Sequence, residues 1–245
     1  MPYDFSSQRL FVRADLHAGA EIEAERGHAN YLVNVLRLKT GDAVRLFNGR
    51  DGEWRARIGE ASRKRCVLAL EEQTQPQTAA PDLHYLFAPL KHARLDYMVQ
   101  KAVEMGAGRL RPVITRHTQV SRVNLERMEA NAIEAAEQCG ILALPTIDEP
   151  AALLEVIAGW DPARHLIFCD ESAPVSNPAK ALRELSRGPA AVLIGPEGGF
   201  SADEQDTLRR LPYVTALSLG PRILRADTAA VAALALAQAF IGDWR

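Results

Sequence analysis

The stretch LIGPEGGFSADE, from Leu193 to Glu204, places three glycines, a proline and an acid between an apolar run and a polar segment. The apolar run AAVLI predicts a buried strand, and Ser201, three residues before Glu204, matches the capping box that begins a helix. Glycines let backbone amides approach a ligand closely, and Pro196 stiffens the turn. Ligands of open α/β sheets bind beyond the carboxyl ends of the strands. A tight turn alone would need one glycine, so the loop predicts a ligand site.

This loop does not fit the two common phosphate-binding patterns. G-x-x-x-x-G-K-[ST] needs a lysine that is missing here, and G-x-G-x-x-G needs a different spacing of its glycines. A second irregular loop, SLGPRILRADTAA (residues 218–230), follows the next predicted strand. Its Arg222 and Arg225 flank an apolar Ile-Leu pair, and Asp227 or Thr228 is predicted to cap the helix that follows. Neither loop supplies a carboxylate pair for magnesium, so together they predict a nucleoside ligand without phosphates, with the arginines in contact with RNA or with the ligand.

The composition excludes several classes of protein. The 245 residues are 47% hydrophobic and carry a formal net charge of −2, which fits one large or two modest globular domains and gives no general affinity for nucleic acid. Cys66, Cys139 and Cys169 lie far apart, and the six histidines lack H-E-x-x-H spacing, so we expect neither a disulfide framework nor a metal site. We recognise no signal peptide and no bilayer-spanning stretch, so we expect a cytoplasmic protein without a membrane anchor.

A polar, proline-containing segment, EEQTQPQTAAPD (residues 71–82), divides the chain into two regions of different pattern. Residues 1–74 contain the strand candidates AVRLFNG, EWRARI and KRCVLALEE, which predict a small β-barrel with one helix. That helix, HANYLVNVLRLK, is expected to place Tyr31, Leu32, Val35 and Leu36 on one face. Residues 80–245 alternate strand and helix patterns, which predicts an α/β domain with a mostly parallel sheet covered by helices on both faces.

The N-terminal region has a local excess of positive charge. From Arg37 to Arg65 it holds nine lysines and arginines and four acids, and nine minus four is +5. Such an excess is as typical of a solvated surface as of a face that contacts RNA phosphates. The residues of this region that we predict to contact RNA are Arg37, Lys39, Arg63, Lys64 and Arg65.

The two C-terminal loops together carry a resemblance to a known family. LIGPEGGFSADE followed by LGPRILRADTA resembles the signature of the RsmE family of bacterial 16S ribosomal RNA methyltransferases, within the SPOUT superfamily. LDYMVQKAVEMG, RPVIT and AIEAAEQCG are similar to further family segments, and HANYLVNVLRLKTGDAVRLFNG resembles its PUA-like RNA-binding domain. The resemblance implies a SPOUT-type α/β domain with a C-terminal trefoil knot, which would be an exception to the rule that chains are unknotted. It also implies a homodimer that methylates N3 of a uridine in the small ribosomal subunit with S-adenosylmethionine as donor.

The resemblance further implies roles for individual residues. Arg225, with Arg222 as second choice, would stabilise negative charge on the uracil, and Glu197 would act as the base or orient the donor. The donor would contact Ile194, Gly195, Pro196, Glu197, Gly198, Gly199, Leu217, Leu219, Gly220, Ile223, Leu224 and Thr228. Arg116 and His117 would contact RNA or the active site of the partner subunit, although His117 is equally typical of an ordinary surface histidine. The sequence departs from the common family pattern at Ile141, at Arg116-His117 and at Ala226-Asp227-Thr228.

Two alternatives stay open at this point. The protein could be a SPOUT methyltransferase that acts on another RNA nucleotide. It could instead be a non-catalytic RNA-binding factor in ribosome assembly, although the intact GPEGG and LGPRILR loops speak against that hypothesis.

Overall fold

The computed structural model describes residues 8–62, 65–91, 93–120, 122–173 and 177–244, and its contacts separate two units. The first unit holds the described residues up to Ala79 together with Ala136–Leu144, and the second holds Ala80–Ala135 and the described residues from Pro145 onward. The division into residues 1–74 and 80–245 stays a prediction. Sequence patterns did not indicate that residues 136–144 group with the first unit.

Five strands form the sheet of the first unit: β1 (Arg9–Phe11), β2 (Glu21–Glu23), β3 (Ala43–Phe47), β4 (Glu53–Ala61) and β5 (Cys66–Gln75). Their order is β1-β3-β4-β5-β2; β1 pairs with β3 in parallel, and the other pairs are antiparallel. The three predicted strands are confirmed as β3, β4 and β5. Strands β1 and β2 escaped prediction because three residues are too few to show an alternating pattern.

The helix of this unit differs from its predicted form. Helix α1 (Arg26–Asn30) continues into a π-helical turn, Tyr31–Val35, in which the Leu36 amide donates to the Tyr31 carbonyl at 2.9 Å. Leu32 is fully buried, but Val35 is 60% exposed, so the expected apolar face is wrong at Val35. The prediction assumed 3.6 residues per turn, and the wider π turn rotates the residues that follow it.

The buried carboxylate of Glu53, at the start of β4, forms hydrogen bonds with side chains of β1, β3 and β5. The Glu53 side chain is fully buried and accepts hydrogen bonds from Arg9 Nε at 2.6 Å, Arg45 Nη1 at 2.8 Å and Thr74 Oγ1 at 2.8 Å. Burial alone would raise the pKa of Glu53, but the hydrogen bonds from Arg9, Thr74 and Arg45 outweigh it and hold the pKa below its usual range. Glu53 is therefore a carboxylate at neutral pH.

The sheet of the second unit has seven strands: β6 (Leu83–Phe87), β7 (Arg109–Ile114), β8 (Thr146–Ile147), β9 (Ala151–Ala152), β10 (His165–Cys169), β11 (Ala190–Ile194) and β12 (Val214–Leu217). The order is β12-β10-β11-β6-β7-β8, with β9 also paired to β7, and every pair is parallel. The predicted parallel sheet is confirmed. The two-residue strands β8 and β9 were not predicted, because they are too short for a pattern.

Helices α2 (Ala93–Glu104), α3 (Leu125–Cys139), α4 (Leu153–Ala158), α5 (Pro178–Arg183), α6 (Ala202–Arg209) and α7 (Ala226–Phe240) accompany these strands. Leu86, Ala191 and Leu193 share a core cluster with α4 and α6 residues, so they point to one face of the sheet. Successive side chains of a strand point to opposite faces. Buried Tyr85 and Val192 therefore face the other side, and α7, which itself contacts α2 and α5, packs against β11. Among the described residues, no helix has the length and apolar character to cross a membrane.

The register of the sheet brings three loops together. Cys169 at the end of β10 lies opposite Ile194 of β11 on one side and Leu217 of β12 on the other. The segments that begin at Asp170, Gly195 and Ser218 therefore leave the sheet at the same edge. The GPEGG loop (residues 195–199) and the LGPRILR loop (residues 219–225) are therefore neighbours in space, although they are separate in the sequence.

We expect Glu53→Gln to lower the free energy of unfolding by about 3–5 kcal/mol, because the change removes the buried negative charge that pairs with the Arg9 and Arg45 guanidinium groups. Urea unfolding measures this loss. The control is Glu71→Gln, which removes surface ion pairs to Arg55 and Arg57 and should change stability little. Since the folded state lowers the pKa of Glu53 from its ordinary value of 4.5, its stabilisation is present above that pH and is lost as the pH falls further. Equal losses from the two variants would contradict the importance of the buried pair.

Candidate functional site

Two cavities lie at the edge of the sheet where the three loops meet. The larger has a volume of about 250 Å³ and is lined by Cys169, Asp170, Glu171, Ile194, Gly195, Pro196, Glu197, Gly199, Phe200, Gln205, Ile223, Leu224, Arg225, Ala226 and Ala229. The smaller, of about 130 Å³, is lined by Cys169, Asp170, Glu171, Ser218, Leu219, Gly220, Pro221, Arg222, Ile223, Leu224 and Ala229. Glu171, Ile223 and Leu224 line both cavities, so the two form neighbouring compartments of one site.

Most of the residues predicted to bind the donor lie in these walls. Glu197 and Arg225 line the larger cavity and Arg222 the smaller one. Gly198, Leu217 and Thr228 line neither cavity. Leu217 is buried, and its carbonyl accepts a hydrogen bond from the Asp170 amide at 3.0 Å, so it supports the wall from behind.

Two glycines of the GPEGG loop have structural reasons to lack a side chain. A Cβ at Gly195 would lie 2.5 Å from the Phe200 ring, which is buried and packs edge-on against Phe168 at 4.9 Å between centroids. Gly199 has a φ of +68°, a conformation that disfavours side chains. These positions keep the loop tightly turned between β11 and α6, so glycines at them serve the turn as well as the cavity.

The connection after β7 also supports this loop. The His117 ring nitrogen Nδ1 lies 3.1 Å from the Gly198 carbonyl, so it carries the hydrogen that is donated. The Arg116 amide donates to the Glu204 carboxylate at 2.9 Å, and the same carboxylate completes the predicted capping box with Ser201. The backbone of Arg116 thus contacts α6 and the ring of His117 contacts the GPEGG loop, while the predicted contact of these residues with RNA stays a prediction.

The floor of the site is formed by the end of β10. The buried Asp170 carboxylate accepts hydrogen bonds from the Ser172 amide at 2.9 Å and from Arg209 Nε at 3.0 Å, so its charge is compensated within the protein. Burial, with a contribution from Asp170, raises the pKa of the Cys169 thiol to about 12. Cys169 is therefore a neutral thiol at physiological pH, and its place in the wall does not make it a nucleophile.

Uncompensated charges surround the mouth of the site. Within the described part of the chain, the side chains of Arg222, Arg225 and Glu171 are exposed and have no hydrogen-bond or ion-pair partner. The apolar Ile223 between the arginines is 85% exposed. Free cations, a free carboxylate and an exposed apolar side chain at one cavity suit a ligand that has both charged and apolar parts. The predicted helix cap is wrong: Arg225 is the N-cap residue of α7, so Asp227 and Thr228 lie in its first turn.

Sequence analysis missed the contribution of the segment after β10. Cys169, Asp170 and Glu171 line both cavities, but the run HLIFCD carries no glycine and was interpreted only as a strand. A usable signal existed, since acids that directly follow a parallel strand lie at the edge where ligands bind. Phe200, Gln205, Ala226 and Ala229 were also missed, and nothing in their local sequence distinguishes them from helix and loop residues.

The predicted RNA-binding residues of the first unit have mixed surroundings. Arg65 forms ion pairs with Glu23 at 3.4 Å and Glu60 at 3.1 Å. Arg37 and Lys39 are without ion pairs among the described residues, and Arg37 has a φ of +58°. Arg63 and Lys64 lie outside the described residues. In the described part of the chain, no group of histidine, cysteine and acidic side chains is placed to hold a metal.

Comparison with known proteins identifies relatives that match almost the whole chain. Residues 77–238 match the RNA methyltransferase domain family, and residues 27–71 match the RNA methyltransferase PUA domain family. The ribosomal RNA small subunit methyltransferase E of Rickettsia conorii is 32% identical over 229 residues, which cover 93% of each chain. The ribosomal RNA small subunit methyltransferase E of Neisseria gonorrhoeae, solved bound to S-adenosyl methionine, superposes with a TM-score of 0.85 at 25% identity and covers 98% of this chain and 100% of its own. Lpg2936 of Legionella pneumophila, solved in complex with SAM, gives a TM-score of 0.82 at 28% identity and covers 97% and 99%.

These matches confirm the predicted α/β fold and the PUA-like domain that precedes it. The trefoil knot of the C-terminal segment stays a prediction.

We expect Gly195→Ala to lower the free energy of unfolding by about 1–3 kcal/mol, because the new methyl group would overlap the packed Phe200 ring. Gly188→Ala is the matched control, since a Cβ at Gly188 meets no atom within 4 Å and that residue precedes the same strand. Urea unfolding of both variants checks the result. Equal stability of the two variants would show that the Phe200 contact does not require a glycine.

Proposed function

The chain belongs to the ribosomal RNA small subunit methyltransferase E family, and on that premise we propose that it transfers a methyl group from S-adenosylmethionine to N3 of a uridine in 16S ribosomal RNA. The main support for the proposal is that the GPEGG and LGPRILR loops together line two adjoining cavities. Methylation of ribosomal RNA follows from the family. The choice of atom N3 rests on the similarity of these two loops to the family signature.

The residues of the cavity fit this donor chemically. Leu224 and Phe200 supply apolar surface for an adenine ring, and backbone amides of a glycine loop suit its polar edge. The donor carries positive charge, and the uncompensated Glu171 carboxylate lies in the wall of both cavities. We therefore propose that the larger and smaller cavities hold different parts of the same donor molecule, in contact with those predicted residues that line them.

The reaction needs little chemistry from the protein. When bound, S-adenosylmethionine supplies a methyl group on a sulfonium sulfur; N3 of uracil forms a bond to that carbon as the carbon–sulfur bond breaks and leaves its electron pair on sulfur. N3 of uracil lies on the Watson–Crick edge, so the uracil has to be unpaired and turned out of its stack to present it. The N3 proton is passed to a proton acceptor. The protein has to hold N3 in line with the methyl group and stabilise the charge that develops on the base.

We propose that Arg225 stabilises that charge. It is exposed at the mouth of the larger cavity and has no partner among the described residues, so its guanidinium is available to O2 or O4 of the uracil. Arg222 occupies a comparable position at the smaller cavity. Glu197 accepts a hydrogen bond from Arg94 at 2.6 Å, so one of its carboxylate oxygens is already engaged within the protein, and this favours a role in orienting the donor over a role as the base.

The proposal includes partners. The substrate is ribosomal RNA of the small subunit, and Arg37, Lys39, Arg63, Lys64, Arg65, Arg116 and His117 are proposed to contact its phosphates. We also propose that the protein acts in the cytoplasm as a homodimer, as the family resemblance implies. Analytical ultracentrifugation distinguishes a dimer from a monomer directly.

The test of the function is a methyl-transfer assay. Purified protein is incubated with radiolabelled S-adenosylmethionine and small ribosomal subunits from a strain that lacks its endogenous enzyme, and the RNA is digested to nucleosides. Label in 3-methyluridine is the expected result. Label in another nucleoside would overturn the N3 assignment and retain the donor. Absence of label together with absence of donor binding in calorimetry would favour the non-catalytic RNA-binding alternative.

Arg225→Gln is expected to lower the rate at saturating donor by about 10²-fold, because it removes a charged group that acts on the developing negative charge. The affinity for S-adenosylmethionine, measured by calorimetry, should change little. Arg187→Gln, a change at another arginine of the same unit that lies outside both cavities, serves as the control and should keep the full rate. A rate unchanged in Arg225→Gln would remove this residue from the mechanism.

A further inference from the structure

Arg94 joins the two walls of the larger cavity without lining it. It lies in the first turn of α2, where its Nη1 donates to Glu197 Oε1 at 2.6 Å and its Nε donates to Asp227 Oδ2 at 3.0 Å. Glu197 belongs to the GPEGG loop, and Asp227 belongs to the first turn of α7, next to the cavity residue Ala226. One guanidinium thus bridges two elements that are 30 positions apart in the sequence.

We propose that Arg94 is a positioning residue that fixes the donor-binding shape of the GPEGG loop by tying Glu197 to the start of α7. This inference rests on the proposed function for its consequence, which is the affinity for S-adenosylmethionine. Its structural basis, the bridge itself, does not depend on that function.

The surroundings of the Arg94–Asp227 pair distinguish that half of the bridge from an ordinary surface ion pair, whereas Glu197 in the other half is 48% exposed. The side chain of Arg94 is 33% exposed and that of Asp227 is 18% exposed, so water screens the second ion pair only in part. The Nη2 atom of Arg94 is buried and has no hydrogen-bond partner among the described residues. An unsatisfied buried donor destabilises the folded state, so the two ion pairs hold the guanidinium in place against that cost. The hydrogen bond from Arg94 also lowers the pKa of Asp227, which keeps Asp227 ionised.

The GPEGG loop needs such support from outside. Its glycines have little conformational preference of their own, and one hydrogen bond, from the Gly199 amide to the Pro196 carbonyl at 2.9 Å, closes its turn. His117 holds the loop at the Gly198 carbonyl, and Arg94 holds it at the Glu197 side chain. Loss of Arg94 would free the loop on the side that faces α7. The donor would then have to order the loop on binding, which lowers affinity.

The experiment compares Arg94→Gln with Arg127→Gln. Arg127 also forms an ion pair between two helices of the second unit, with distances of 2.8 and 2.6 Å to Asp96, and it lies outside both donor cavities. Calorimetry should show about tenfold weaker binding of S-adenosylmethionine to Arg94→Gln, because the donor then has to order the loop as it binds. Arg127→Gln should bind like the unchanged protein. In steady-state assays of Arg94→Gln, KM for the donor should rise while kcat at saturating donor stays within about twofold.

Hydrogen exchange in the absence of donor gives a second readout that does not require activity. The Gly199 amide should exchange faster in Arg94→Gln than in the unchanged protein and in Arg127→Gln. Arg94→Lys, whose single ammonium group cannot hold both carboxylates in the same geometry, should give intermediate values of affinity and exchange. If Arg94→Gln does not fold, Arg94→Lys is compared with Arg127→Lys in the same measurements.

The outcomes distinguish a failure of the role proposed for Arg94 from a failure of the proposed function. Affinity within twofold of the unchanged protein, together with unchanged exchange at Gly199, would overturn the role of Arg94. Equal losses of affinity in the Arg94 and Arg127 variants would also overturn it, because they would indicate a general loss of stability. If the unchanged protein binds no S-adenosylmethionine, the proposed function fails, and the exchange comparison still decides whether Arg94 fixes the loop.

Discussion

The parallel pairing of β10 with both β11 and β12 is the constraint on which the site depends. It aligns Cys169, Ile194 and Leu217 in one row across three adjacent strands. Because parallel strands end at the same edge, loops that begin at residues 170, 195 and 218 meet there. A slip of one residue would turn each side chain of the slipped strand to the opposite face of the sheet. The hydrophobic contacts that fix the register thus also fix the composition of the cavity walls.

A glycine-rich loop at such an edge obtains its shape from its neighbours. Phe200 occupies the space that a side chain at residue 195 would need, His117 lies against Gly198, and Arg94 pairs with Glu197. These three contacts come from the loop's own end, from the connection after β7 and from the first turn of α2. Several elements of the second unit, including residues outside the cavity, therefore contact the loop and support its shape.

Strand pairing decides which of the charged residues in a basic stretch form ion pairs. A window from residue 37 to 65 has a charge of +5, yet β4 and β5 pair so that Glu71 binds both Arg55 and Arg57. Acidic residues outside residues 37–65, such as Glu71, therefore neutralise part of this positive charge. At the edge of the other sheet the reverse holds, since Arg222 and Arg225 have no partner among the described residues. Whether an arginine is available for a ligand is a property of the fold.

The sequence by itself determined the types and order of the longer elements, because their periodicity and caps act over a few residues. It indicated β11, the capping box of α6 and the two loops beside them, and with these the family. It did not reveal the short strands β8 and β9, the π turn that exposes Val35, or the contribution of Glu171. The short strands and the cavity wall at Glu171 arise from contacts between residues far apart in the chain, which no local pattern encodes. The π turn is local, but it departs from the 3.6-residue period that the prediction assumed. Only the tertiary structure, through the register of parallel strands, decided which side chains share the cavity and which charges were left free beside it.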